Sequence, residues 1–359
     1  MNDSARGGAL RPVITAWSAF SPYGRGRAAF IEGVAEGRTA VGVLDRDGWD
    51  TPDERAGLVP GFETRAVLGK KGTRGMDRLA GLAVATVRDL HAERPGDATT
   101  ALVLGTTTGS AQTMMDITRT GLTAPLPHLI DPAAIPYGVM NGAAGQCAIW
   151  HGYHGPNATI AAGRPTGLAA LGYARRLLRA RRARTVVCGA AEDYSHARSW
   201  LESHGEDGVE GTVLGEGCAM FAVGLPPADG GPVLAEVLAL DFRICLDGEW
   251  GAAVDRSVRT VLSPSGADVW VACASGAAGP AGKAEQAALD EAAPAETRLT
   301  PLPEFIGETH AASAAFQLGA VLGLAERTPE AAGRTAVITS VDPPSGTVAA
   351  ALLRLGERR

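Results

Sequence analysis

The chain has 359 residues, 45% of them hydrophobic and 20% charged, with a formal net charge of −6. That usage is close to that of ordinary soluble, cored proteins and excludes disordered and collagen-like classes. The acidic balance argues against non-specific nucleic-acid binding as a main role.

No apolar run reaches the roughly 18 residues that a membrane span needs. The opening MNDSARGGALRPVITAW lacks the positive-then-apolar order of a secretory signal, so a cytoplasmic chain without a membrane partner is expected. Cys147, Cys188, Cys218, Cys245 and Cys273 form no CxxC pair and are odd in number. Neither a disulfide framework nor a zinc site is expected from them, and a reducing compartment fits.

In chain order, apolar runs predict strands at Val13–Trp17, Thr100–Leu104, Ala158–Ala162, Thr185–Cys188 and Cys218–Val223. Further strands are expected at Val233–Leu240, Val269–Cys273, Thr335–Ile338 and Thr347–Leu353. Between them, helical stretches read at Met76–Ala92, Gly167–Ala183 and Ala281–Ala292. Such alternation predicts an α/β fold with helices covering sheets. GLPPADGGPV, Gly224–Val233, is the best linker and divides the chain into residues 1–224 and 233–359. No short-period repeat is visible, and spacing alone does not show whether the two parts are duplicates.

Several segments then resemble the β-ketoacyl synthase family, in order and over nearly the whole length. They are RPVITAWSAFSPYGRGRAAFIEGVAEGRTAVGVL, RGMDRLAGLAVATVRDL, VLGTTTGSAQTM, MNGAAGQCAIWHGYHGPNATIAAGRPTGLAALGYA, VVCGAAED and GTVLGEGCAMFAV. The resemblance implies a thiolase-like, five-layer αβαβα fold of two similar halves, normally dimeric. It implies no cofactor.

Family members carry a cysteine on a tight strand-to-helix turn, where the helix dipole favours the thiolate that accepts an acyl chain. Aligning Gly155-Pro156 with the family's Gly-Pro puts Arg164 at that position. An arginine is cationic at every accessible pH and cannot accept an acyl group. The family's two histidines are also missing. Ser275, in Cys273-Ala274-Ser275-Gly276-Ala277-Ala278, stands at the first, and Glu308, in Ile306-Gly307-Glu308-Thr309, at the second. Pro303 takes the place of the accompanying lysine, and His310 falls two residues out of register. The late loop Ser340-Val341-Asp342-Pro343-Pro344-Ser345-Gly346-Thr347 lacks the family's phenylalanine gate.

An unpaired Arg164 in a core would cost several kcal/mol. The resemblance makes the lost positions converge on one pocket, so an Arg164–Glu308 ion pair filling the vacated site is expected. Cys273 and Cys147 could offer substitute thiols, although buried cysteines more often act as small hydrophobes. His151 and His154, flanking Tyr153, are by themselves a weak metal pair, and no metal site is expected. The run Arg175, Arg176, Arg179, Arg181, Arg182, Arg184 reads first as the solvated end of a helix. Its other reading is a contact for an acidic partner such as an acyl carrier protein.

Within the family, loss of the cysteine is typical of chain-length factors, which heterodimerise with an active ketosynthase in type II polyketide synthases and help enclose the growing acyl chain. The resemblance implies an active ketosynthase and an acyl carrier protein as partners. It maps the tunnel onto Gln112, Thr113, Met114, Met115, Asp116 and Ile117, and the dimer-axis strand onto Asn157, Thr159 and Ile160. Ordinary core packing is the plain alternative for the two methionines. An arginine rather than a glutamine at the turn, in a shorter chain, points toward reducing, polyene-forming systems. Two other readings stay open: an acyltransferase with a displaced nucleophile, and a scaffold without control of chain length.

Overall fold

A computed structural model describes residues 11–205, 211–227, 230–263 and 268–356. Two linker positions, 228 and 229, and the opening ten residues therefore lie outside the described residues.

The principal strands are β1 (Val13–Ser21), β2 (Ala101–Gly105), β3 (Asn157–Ile160), β4 (Thr185–Glu192) and β5 (Gly217–Gly224), followed by β6 (Ala235–Ile244), β7 (Val269–Cys273), β8 (Ala295–Arg298), β9 (Thr335–Asp342) and β10 (Thr347–Leu355). The helices of nine residues or more are α1 (Gly26–Ala35), α2 (Arg78–Glu93), α3 (Ala111–Thr123), α4 (Gly142–His151), α5 (Thr166–Arg179), α6 (His196–His204), α7 (Trp250–Leu262), α8 (Gly279–Ala292) and α9 (Ser313–Arg327).

The first five strands lie in the order β3-β2-β4-β5-β1, and the last five repeat it as β8-β7-β9-β10-β6. In each half the first two pairings are parallel and the next two antiparallel. A short antiparallel contact, Val13 with Glu236 and Ile14 with Ala235, joins the two sheets. The halves are thus alike in topology, a likeness that sequence spacing did not reveal.

Three apolar layers separate the sheets and helices. Leu168, Leu171 and Ala174 of α5 and Phe316, Leu318 and Val321 of α9 fill the layer between the two sheets. The outer face of the first sheet is covered by α2 and α4, and that of the second by α7 and α8. The result is five layers, helix–sheet–helix–sheet–helix. Small residues permit this closeness: a Cβ on Gly167 of α5 would lie 2.3 Å from the Ala315 nitrogen of α9.

The expected elements hold with shifted ends. Asp77 caps α2 by accepting from the Ala80 N–H at 2.7 Å, which sets its start. The strand expected at Ala158–Ala162 ends at Ile160, because Ala162 and Gly163 already form the turn into α5. The strand expected at Val233–Leu240 runs instead from Ala235 to Ile244, its far end held by pairing with β10. The sequence reading passed over α9, where every residue from Ser313 to Gly323 is buried. A helix apolar on all sides shows no 3.6-residue alternation.

Candidate functional site

The chain leaves β3 and enters α5 through a tight turn. Gly163 adopts the left-handed region at φ +61, Thr166 Oγ1 donates to the Gly163 carbonyl at 2.6 Å, and the Ala162 N–H donates to Thr166 Oγ1 at 2.8 Å. These contacts fix the turn that carries Arg164, whose side chain is buried and only 8% exposed.

Arg164 is not left alone there. Its Nε and Nη2 each lie 2.8 Å from Glu308 Oε2, and Nη1 lies 3.5 Å from Asp342 Oδ1. The ion pair expected from the sequence is therefore present, with a second carboxylate beside it. Burial pushes the Glu308 carboxyl up, but the Arg164 charge and the His310 side chain and N–H outweigh it and hold the group at about 2.

Glu308 is fixed from behind by its main chain. Its carbonyl accepts from Arg198 Nη2 at 2.9 Å and from the Gly215 N–H at 2.8 Å. Arg198 is itself buried and also donates to the Asp193 and Gly215 carbonyls. His310, with a left-handed φ of +41, donates its N–H to Glu308 Oε1 at 2.8 Å and brings Nε2 to 3.3 Å from Glu202 Oε1.

Ser275 takes a different course. Its hydroxyl and N–H both donate to Glu285 of α8, and Thr339 Oγ1 donates to the same carboxylate at 2.8 Å. Burial pushes the Glu285 carboxyl up, while these hydrogen bonds and the Arg164 charge oppose it. The structure thus brings Arg164 and Glu308 into direct contact and ties Ser275 to Glu285.

Arg164, Asp342, His310, Glu202, Thr107 and Asp53 help line a cavity of about 660 Å³. Sequence reasoning missed Asp342 and Glu285 as members of the site, and Arg198 behind it. Asp342 left a usable signal: a carboxylate immediately before two prolines, at the end of a strand facing a buried cation.

The thiols do not face this cavity. All five cysteines are buried, and burial pushes the Cys188, Cys218 and Cys273 thiols up to about 12 and Cys147 higher still. A thiol so displaced holds a negligible thiolate fraction at neutral pH.

The mapped tunnel residues lie on the surface of this chain. Met114 and Met115 are 47% and 41% exposed on α3, so the core-packing reading does not hold for them. Gln112 bridges outward, accepting from the Ala197 N–H of α6 at 3.0 Å and donating to Asp116 at 2.9 Å. Thr113 donates its N–H to the capping Ser110, and Ile117 is half-buried. Among the described residues β3 pairs only with β2, so the strand carrying Asn157, Thr159 and Ile160 presents a free edge. Asn157 donates to the Ala144 carbonyl at 3.0 Å, and the buried Thr159 hydroxyl has no hydrogen-bond partner among the described residues.

His151 places Nε2 3.1 Å from the Val84 carbonyl and packs edge-on to His91, while His154 is exposed. Of the arginine run, Arg175, Arg176 and Arg179 rim a groove of about 400 Å³ floored by Leu240 and Phe242.

The family model for the β-ketoacyl synthase N-terminal domain matches residues 11–224. This chain belongs to the β-ketoacyl synthase family. It is similar to a solved structure described as the ishigamide ketosynthase/chain length factor, with 40% identity and a TM-score of 0.91, over 96% of this chain and 99% of that one. The 3-oxoacyl-(acyl-carrier-protein) synthase 2 of Synechocystis sp. is 29% identical over 194 residues, 51% of this chain and 45% of that protein. Its counterpart from Vibrio cholerae is 27% identical over 52% and 46%. The match spans about half the length of these curated relatives. A β-ketoacyl synthase from Burkholderia phymatum, at 17% identity and a TM-score of 0.80 over 97% of this chain and 100% of that one, shares the fold.

Proposed function

We propose that this chain is a noncatalytic, chain-length-factor-type subunit that heterodimerises with an active ketosynthase. In this reading it forms one wall of the tunnel that holds the acyl chain, delivered by an acyl carrier protein, in type II polyketide assembly of the reducing, polyene-forming kind. Residues 1–224 and 233–359 are its two ketosynthase-like halves. Arg164, Ser275 and Glu308 stand for the lost cysteine and histidines.

One observation carries the proposal. The side chain on the turn is a guanidinium already paired with Glu308 at 2.8 Å, so the turn offers neither a nucleophile nor a free cation. The remaining thiols are buried, which speaks against a substitute acyl acceptor. The likeness to the ishigamide ketosynthase/chain length factor supports the same reading. So does the surface. An exposed Met114–Met115 pair and a free strand edge suit a wall completed by a partner. In the heterodimer the partner's cysteine would carry the acyl group, while side chains of α3 set how much chain the tunnel accepts.

The test is co-expression with an active type II ketosynthase, followed by native mass measurement and condensation assays. A one-to-one complex whose activity is lost only when the partner's cysteine is removed is expected. A homodimer that takes up acyl groups unaided would overturn the proposal.

A further inference from the structure

The turn before α5 has one backbone donor whose use is unusual. Pro165 has no N–H, and the Thr166 N–H returns to the Gly163 carbonyl at 3.1 Å. The Arg164 N–H instead points to Asp342 Oδ1 at 3.1 Å. An N–H at the entry to a helix, beside a guanidinium, is a ready site for an anion. Here a side chain of the same protein supplies the anion.

Asp342 is held firmly in that place. It ends β9, and its second oxygen accepts the Ser345 N–H at 3.1 Å, closing a turn through Pro343 and Pro344. Two consecutive prolines fix φ at both positions, so the backbone that presents the Ser345 N–H to the carboxylate is stiff. From the other side, Gly163 makes room: a Cβ there would lie 2.0 Å from the Asp342 carboxyl carbon. The glycine therefore serves both the left-handed turn and the seat of the carboxylate.

We propose that Asp342 is a built-in anion that occupies the outward N–H of the turn, closing the site to an incoming acyl or carboxylate group whatever residue stands at 164. The proposal rests on the noncatalytic reading above and adds a second, independent layer to it. Restoring a cysteine at 164 would place a thiol against a carboxylate that disfavours its thiolate and holds the donor an acyl oxygen would need.

Two experiments on the isolated chain test this, and neither requires the partner subunit, so their failure is distinct from failure of the heterodimer. In the first, Asp342→Ala is titrated with acetate while thermal unfolding is followed. Acetate restores the missing carboxylate and stabilises the variant as one plus the ratio of its concentration to its dissociation constant, about elevenfold in the folding equilibrium at ten times that constant, and leaves the native chain unchanged. Equal indifference of a folded variant and the native chain overturns the proposal. In the second, Arg164→Cys is compared with Arg164→Cys/Asp342→Ala by iodoacetamide labelling across pH. The five native cysteines are buried, so labelling reports residue 164. The double variant should label about tenfold faster at neutral pH, with its profile shifted to lower pH. Identical profiles overturn the proposal, and Asp342→Asn, which keeps the shape of the side chain and removes its charge, takes the place of Asp342→Ala in this arm if the alanine variant does not fold.

Discussion

Arg164 and Glu308, 144 residues apart in the chain, meet where the Arg164 Nε donates to Glu308 Oε2 at 2.8 Å and Nη2 lies 2.8 Å from the same oxygen, both side chains being buried. Desolvating two charges is costly, and their attraction offsets this only while both are present and fully hydrogen-bonded. Glu308 meets that condition through the His310 N–H, and Arg164 through Asp342.

Breaking this pair should therefore destabilise the fold. Glu308→Gln is expected to cost about 3 kcal/mol in urea unfolding. A double-mutant cycle with Arg164→Gln should return a coupling of about 2 kcal/mol. Effects that simply add would show that the two side chains do not act as a unit.

The same pair sets an acid limit. Glu308 ionises at about 2 in the folded chain, below its ordinary value of 4.5. A depressed carboxylate contributes stability that is complete above its unfolded value and is lost as pH falls through the folded one. The difference in unfolding free energy between the native chain and Glu308→Gln should be largest at neutral pH and shrink from about pH 4.5 down to about 2. A pH-independent difference would contradict the assignment.

Glu285 should behave in the opposite sense. Burial pushes its carboxyl up, so its contribution is complete below its ordinary value and declines as pH rises through the folded one. Glu285→Gln keeps an acceptor for the Ser275 and Thr339 donors and removes the buried charge. Its stability relative to the native chain should rise with pH, measured by urea unfolding at several pH values. A gap that narrows with pH would show that the ionised form is the one the site prefers.

Met114→Ala and Met115→Ala separate a tunnel wall from a scaffold. Both side chains are largely exposed, so the isolated chain should change in stability by no more than about 0.5 kcal/mol. The complex with the active ketosynthase should release longer products, read by mass spectrometry. Unchanged product length with intact activity would favour the scaffold.

The thiols give a direct test for a displaced nucleophile. Incubation of the folded chain with an acyl-loaded carrier protein, or with iodoacetamide, should modify none of Cys147, Cys188, Cys218, Cys245 and Cys273. Denaturant should expose all five. Acylation of a single cysteine in the native state would revive the acyltransferase reading.

The sequence by itself determined the α/β class, most strand positions, the family likeness and the presence of a cation on the turn before α5. These depend on short-range patterns: apolar runs, a Pro–Gly linker and a motif order that survives when individual residues drift. It also suggested Glu308 as the counter-charge, because the family's geometry brings that position to the turn. Only the tertiary structure decided that Asp342 completes the site, that Ser275 is bound to Glu285, and that the methionines of α3 face outward. The first depends on a strand end that lies opposite a turn 178 residues away, the second on how α8 folds back onto a residue ten positions before Glu285, and the third on which face of a helix is left uncovered. Local periodicity records none of these. It likewise hid α9, buried on every side, and the repeated strand order of the halves, since topology is a relation between strands and not a property of any one of them.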